Sequence, residues 1–186
     1  MPIDLLPGVH DIPCANTETG RIRAFLSDDG NLIDCGLPDT SDTLLDEIAE
    51  TRIHVDSLKI THADRDHVGG FDAVVQELSP ETYVSVGAEF DTESDPDNRY
   101  ANSNEIGLFE AVHVPGHREH QHALTDEDRG VAILTDALSR ADQRVQPAGY
   151  FHLPPGIYSG DLNEAETSLE RPLEYNFEAR LVPTGS

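Results

Sequence analysis

The sequence predicts an α/β fold in a single domain spanning residues 1–186. Two patterns point to it. Short Val, Ile and Leu runs alternate with stretches of helical apolar spacing. A dense group of histidines and aspartates, "THADRDHVGG" at 61–70, follows directly on one of those apolar runs. Open α/β sheets put their ligand sites at such carboxyl ends of strands.

Taken in order, "IRAFL" (22–26) and "NLIDC" (31–35) read as strands joined by "SDDG", where Asp29-Gly30 is a hairpin signal. Ser41 to Arg52 reads as a helix capped by Ser41 or Asp42, with Leu44, Leu45 and Ile48 on one face. "VDSLKIT" is a buried strand, and "VGGFDAVVQEL" a loop entering a helix. "TYVSV" (82–86) is a strand, and 91–104 an exposed polar loop. Strands near 106–114 and 131–135 flank "PGHREHQHALTDEDRG", with a hairpin turn at Asp128-Arg129-Gly130. A last helix starts near Asp161 and ends or kinks at Pro172, which lacks a backbone donor. "FEARLVPTGS" closes the chain as a short strand.

Charge excludes some partners. Lys plus Arg number 12 and Asp plus Glu 36, a net charge of −24, with Lys59 the only lysine. Such a surface repels nucleic acid and anionic lipid. It is also the surface of halophilic proteins, whose self-repulsion molar salt screens. The 37% apolar content, arranged in runs, argues for a folded chain. "MPIDLLPGVHDIP" does not resemble a signal peptide and no apolar run is long enough to span a membrane, so a soluble cytoplasmic protein is expected. Cys14 and Cys35 are expected as buried free thiols.

The cluster His62, Asp64, Asp66 and His67 offers the imidazole and carboxylate donors that zinc, iron and manganese take. The competing reading is ordinary: aspartates capping a helix and histidines on a solvated loop. His117, after a strand and a Pro-Gly turn, and Asp136, at the end of an apolar strand, favour a metal, because a carboxylate there is costly without a partner. His120 and His122, two apart, are expected on one strand face. Tyr150, Phe151 and Tyr158 either line a substrate pocket or anchor a loop, while His10, His54, His113 and His152 carry no motif.

"IDCG" (33–36), "THADRDHVGG" (61–70), "PGH" (115–117) and "TDAL" (135–138) together resemble, in order and spacing, the metallo-β-lactamase-fold hydrolase superfamily. The resemblance implies a four-layer αββα sandwich, with the family's terminal strand and helix expected to be missing, and one or two divalent ions generating a hydroxide nucleophile. Zinc is the first expectation. His62, Asp64, His117 and Asp136 would hold the first ion. Asp66 and His67 would hold the second with the bridging Asp136, or Asp66 would orient the attacking water. The family's second motif histidine is replaced by Asp64, a change that favours iron or manganese and has a parallel in the glutamate of flavodiiron proteins. A late His-Gly motif is absent, with Thr184 at its expected place.

The implied activity is hydrolysis of a small-molecule thioester or other ester-like substrate, in the manner of glyoxalases. Alternatives are a mononuclear iron oxygenase resembling persulfide dioxygenases, which His62, His117 and Asp136 satisfy, and a non-catalytic relative. Substrate and oligomeric state are not legible from the sequence.

Overall fold

The computed structural model describes residues 6, 8–17, 20–140 and 151–185. The chain divides into two compact units, residues 1–84 with 88–99 and residues 85–87 with 100–186.

The first unit is built on β1 (Val9–Thr17), β2 (Gly20–Ser27), β3 (Asn31–Ile33), α1 (Ser41–Thr51), β4 (Ser57–Ile60), α2 (Arg65–Val68), α3 (Phe71–Leu78) and β5 (Glu81–Ser85). Its sheet runs β1-β2-β3-β4-β5, antiparallel through β3 and parallel thereafter. β1 lay outside the sequence expectation, because Pro13 interrupts its alternation; the strand absorbs it at a register shift between Pro13 and Ala15. The β2–β3 hairpin closes as expected, with the Gly30 amide donating to Ser27 O at 2.9 Å.

α1 buries Leu44 and Ile48 and ends where Arg52 turns left-handed at φ +61°. Its cap differs from expectation. A 3-10 turn, Pro38–Thr40, runs straight into the helix, so Thr40 is the N-cap and no side chain caps it. The polar stretch 91–104 is also more ordered than a loop, since it contains β6 (Asn98–Tyr100), whose Tyr100 is 1% exposed. Asp97 secures this stretch by accepting hydrogen bonds from Thr82 N and Oγ1. The core of the unit gathers Ile12, Leu26, Leu32, Leu58, Ile60 and Phe71, all buried.

The second unit contains β7 (Glu105–Ile106), β8 (Phe109–His113), β9 (His122–Asp126), β10 (Val131–Ile133), β11 (Ser139–Arg140), β12 (Phe151–His152), α4 (Leu162–Ser168), β13 (Ala179–Leu181) and β14 (Thr184–Gly185). Its main sheet runs β13-β10-β9-β8-β7, with only the β10–β13 pair parallel. α4 starts as expected: Asp161 Oδ1 accepts from Asn163 N and Glu164 N. It ends at Ser168, before Pro172, which opens a 3-10 turn. The mixed α/β class with two sheets is therefore as expected. No helix among the described residues is long and apolar enough to cross a membrane. Cys14 and Cys35 are free and buried, and burial pushes the Cys14 thiol up to about 12.

Lys59, in the middle of β4, is 1% exposed. Its Nζ donates to Asn31 Oδ1 and to Ser57 Oγ at 2.6 Å, yet burial brings its pKa from 10.5 down to about 8, against the opposing pull of Asp29 and Glu81. Below pH 8 the ammonium is charged in both folded and unfolded chains, and the full burial penalty of about 3 kcal/mol applies. Between pH 8 and 10.5 only the unfolded chain keeps the proton, so stability rises with pH. Lys59→Met should therefore melt higher than wild type at pH 7, since Ser57 and Asn31 still bond each other at 3.0 Å. The difference should shrink as pH approaches 10.5. A melting difference that stays constant from pH 7 to 10 would contradict this account.

Candidate metal centre

Imidazole and carboxylate donors occur in each unit. In the first unit, β4 ends at Ile60 and the chain turns through Thr61 and His62 before α2 lifts Asp66 and His67. This short helix carries Asp66 and His67. Gly70 explains the glycines after the cluster: a Cβ there would lie 2.4 Å from Cys35 O, so only glycine lets the turn pass that carbonyl. From the other side, the Cys35 amide and Sγ both donate to His67 O, at 2.7 and 3.2 Å.

Asp34 organises this half. It follows β3 in the left-handed region at φ +59°, a conformation that aspartate tolerates better than most residues. Its Oδ1 accepts from Thr61 N at 2.9 Å and its Oδ2 from Thr61 Oγ1 at 2.8 Å. His67 Nδ1 donates to the same Oδ2 at 2.7 Å. With its hydrogen directed to Asp34, the Thr61 hydroxyl keeps a lone pair for His62 Nδ1, 3.2 Å away. One carboxylate thus fixes both rings with Nδ1 protonated, which leaves each Nε2 as the donor nitrogen.

Those nitrogens stand beside carboxylates. His62 Nε2 is 3.8 Å from Asp64 Oδ2, and His67 Nε2 is 3.9 Å from Asp66 Oδ2. The two rings lie 3.9 Å apart, both fully buried.

In the second unit, β8 leads through Pro115-Gly116 to His117, which is 3% exposed. Gly116, at φ +124°, lets α4 approach: a Cβ would sit 2.2 Å from Ala165 N. The segment before α4 is bonded onto this turn, with Asp161 N donating to Gly116 O and Gly160 N to His117 O. His117 Nδ1 lies 3.3 Å from Ser159 Oγ, and His117 Nε2 is 3.7 Å from Asp136 Oδ2. Asp136 follows β10 on a 3-10 turn (Thr135–Ala137) and is 9% exposed.

The same arrangement therefore occurs three times: an imidazole anchored through Nδ1 to an oxygen, with Nε2 beside a carboxylate. The separations of 3.7–3.9 Å exceed a hydrogen bond. Two ligands at about 2.1 Å from one tetrahedral ion would be about 3.4 Å apart, so the pairs fit a shared cation better than a direct contact.

Other expectations change. His120 lies in the turn before β9, so alternation does not put it with His122 on a strand face. His122 packs its ring against Tyr100 and His113, and burial pushes its pKa down to about 4. Phe151 and Tyr158 are exposed. Thr184 lies on β14, and Tyr150 falls outside the described residues. Sequence reading did not single out Asp34, Thr61 or Ser159. Only Asp34 left a signal, a carboxylate closing an apolar strand, as Asp136 does.

A family model described as the Metallo-beta-lactamase superfamily matches residues 25–183. Among solved structures, TTHA1623 in a di-iron-bound form is similar at 21% identity and TM-score 0.71, covering 94% of this chain and 92% of that one. The B3 metallo-beta-lactamase BLEG-1 is similar at 22% identity and TM-score 0.63, covering 87% and 83%. BJP-1, a subclass B3 metallo-beta-lactamase of Bradyrhizobium japonicum, is similar at 18% identity and TM-score 0.65, covering 98% and 76%. No curated protein sequence matches the chain.

Replacing Asp34 by alanine would strand His67 Nδ1 and Thr61 N in the interior. The expected loss is about 3 kcal/mol, read as a lower urea midpoint with an unchanged slope. A midpoint equal to wild type would show that Asp34 does not organise the half-site.

Proposed function

Because the chain belongs to the metallo-beta-lactamase superfamily, we propose that it is a metal-dependent hydrolase of small ester-like molecules, thioesters first among them. The observation that carries this reading is the threefold presentation of Nε2 by His62, His67 and His117 beside Asp64, Asp66 and Asp136. On the family's ligand pattern, His62, Asp64, His117 and Asp136 would be the residues for a first ion, and Asp66 and His67, with Asp136, those for a second. A divalent ion in such a site lowers the pKa of a bound water and polarises the carbonyl under attack.

The protein's own groups do the rest. Asp34 and Ser159 keep His67 and His117 in the tautomer that can donate a lone pair. Asp66, a half-buried carboxylate, accepts the proton of an attacking water or completes the second site. The charge of −24 suits a halophilic, cytoplasmic protein, where salt screens the acidic surface.

Zinc is the first occupant to test. Iron has independent support from the di-iron-bound form of TTHA1623 and from the two-histidine, one-carboxylate set His62, His117 and Asp136, which suits a mononuclear iron oxygenase. Elemental mass spectrometry after purification in molar salt, alongside thioester hydrolysis and oxygen uptake, separates the readings. About one ion or more per chain is expected, absent from Asp136→Ala, with thioester turnover that also disappears in that variant. Oxygen uptake on one bound iron would favour the oxygenase. A folded chain that takes up no ion when supplied with zinc, iron or manganese would end both.

A further inference from the structure

Thr135 stands directly before Asp136 with φ +52°, and a β-branched residue is rarely found there, because its side chain crowds the backbone. β10 itself does not require it, since Val131–Ile133 pair regularly with β9 and β13. The conformation has one consequence: it turns the chain out of the strand into the 3-10 turn that brings Asp136 Oδ2 to 3.7 Å from His117 Nε2.

The side chain of Thr135 is bonded to Gln121. Its Nε2 donates to Thr135 Oγ1 at 3.0 Å, and both residues are fully buried. The backbone of Gln121 also closes the loop that carries His117, with Val114 N donating to Gln121 O at 2.9 Å and Gln121 N to Arg118 O at 3.3 Å. One residue therefore ties the His117 loop to the Asp136 turn. Gln121 Oε1 meanwhile has no hydrogen-bond partner among the described residues. Burying an amide with an idle acceptor is unfavourable for stability, so this glutamine is poorly explained as core filling.

We infer that Gln121 is a positioning residue for Asp136: its amide clamps Thr135 in the left-handed conformation and so sets the direction of the aspartate. The inference rests on the reading of Asp136 as a metal ligand. The probe is cobalt(II) alone, titrated into metal-free protein in molar salt and followed by visible absorption, which reports both affinity and coordination.

Gln121→Met, of similar length without the amide, should bind cobalt about tenfold more weakly or worse, with an altered spectrum. The melting temperature of the metal-free protein should change little, because the idle acceptor leaves with the amide. Thr135→Val removes the same hydrogen bond from the other side and should reproduce the cobalt effect, at a lower melting temperature because it leaves the Gln121 amide buried without that partner, which covers the case of a misfolded Gln121→Met. In a Thr135→Gly background, where glycine takes positive φ freely, Gln121→Met should cost less than about threefold, because the bond it breaks is already gone. Cobalt affinity and spectrum equal to wild type in both single variants would overturn the clamp. So would an undiminished loss in the glycine background. If wild type takes up no cobalt, the ligand reading fails and the clamp fails with it.

Discussion

The site depends on one constraint: an imidazole can offer a lone pair to a cation only when its other nitrogen holds the proton, and something must hold that proton in place. Here the holders are oxygens, Asp34 for His67, Thr61 for His62 and Ser159 for His117. Much of the local structure serves to place those oxygens. The Cys35 contacts and Gly70 fit the Asp34 turn against the His67 helix, and Gly116 lets α4 and the segment before it close over His117.

Both key carboxylates stand at strand ends through left-handed backbone. Asp34 itself adopts φ +59° after β3, and Thr135 adopts φ +52° before Asp136 after β10. Positive φ at non-glycine residues costs on the order of 1–3 kcal/mol and persists only where surrounding bonds over-determine it. At Asp34 the determining bonds are those to Thr61 and His67, and at Thr135 they include the Gln121 amide. The two units use different side chains for the same device, a forced turn where a strand stops. Such turns let a rigid sheet edge aim a short side chain that a flexible loop would leave unaimed.

This explains what was legible in the sequence. Donor residues are read from their type and spacing, and helices from apolar periodicity, as with Leu44 and Ile48. Strand ends are legible where a carboxylate terminates an apolar run. Hydrogen-bond partners such as Thr61, Ser159 and Gln121 are ordinary polar residues, and only the path of the backbone brings Ser159, 42 positions along the chain, to His117. β1 was hidden by its proline, and β6 by the acidic residues around it, because local composition is overridden when neighbouring strands supply the pairing.

The aspartate at position 64 sets the character of the proposed first site. As a ligand of a divalent ion, Asp64 would bring a negative charge where an imidazole would bring none. That charge would make a bound ion a weaker Lewis acid and raise the pKa of water on it. The carboxylate also adds a hard oxygen donor, which shifts preference from zinc toward iron or manganese. In the second proposed site, His67 is held by Asp34, which is itself satisfied by Thr61 and His67 and adds no donor. The carboxylate of Asp34 therefore serves a histidine, whereas that of Asp64 would serve an ion.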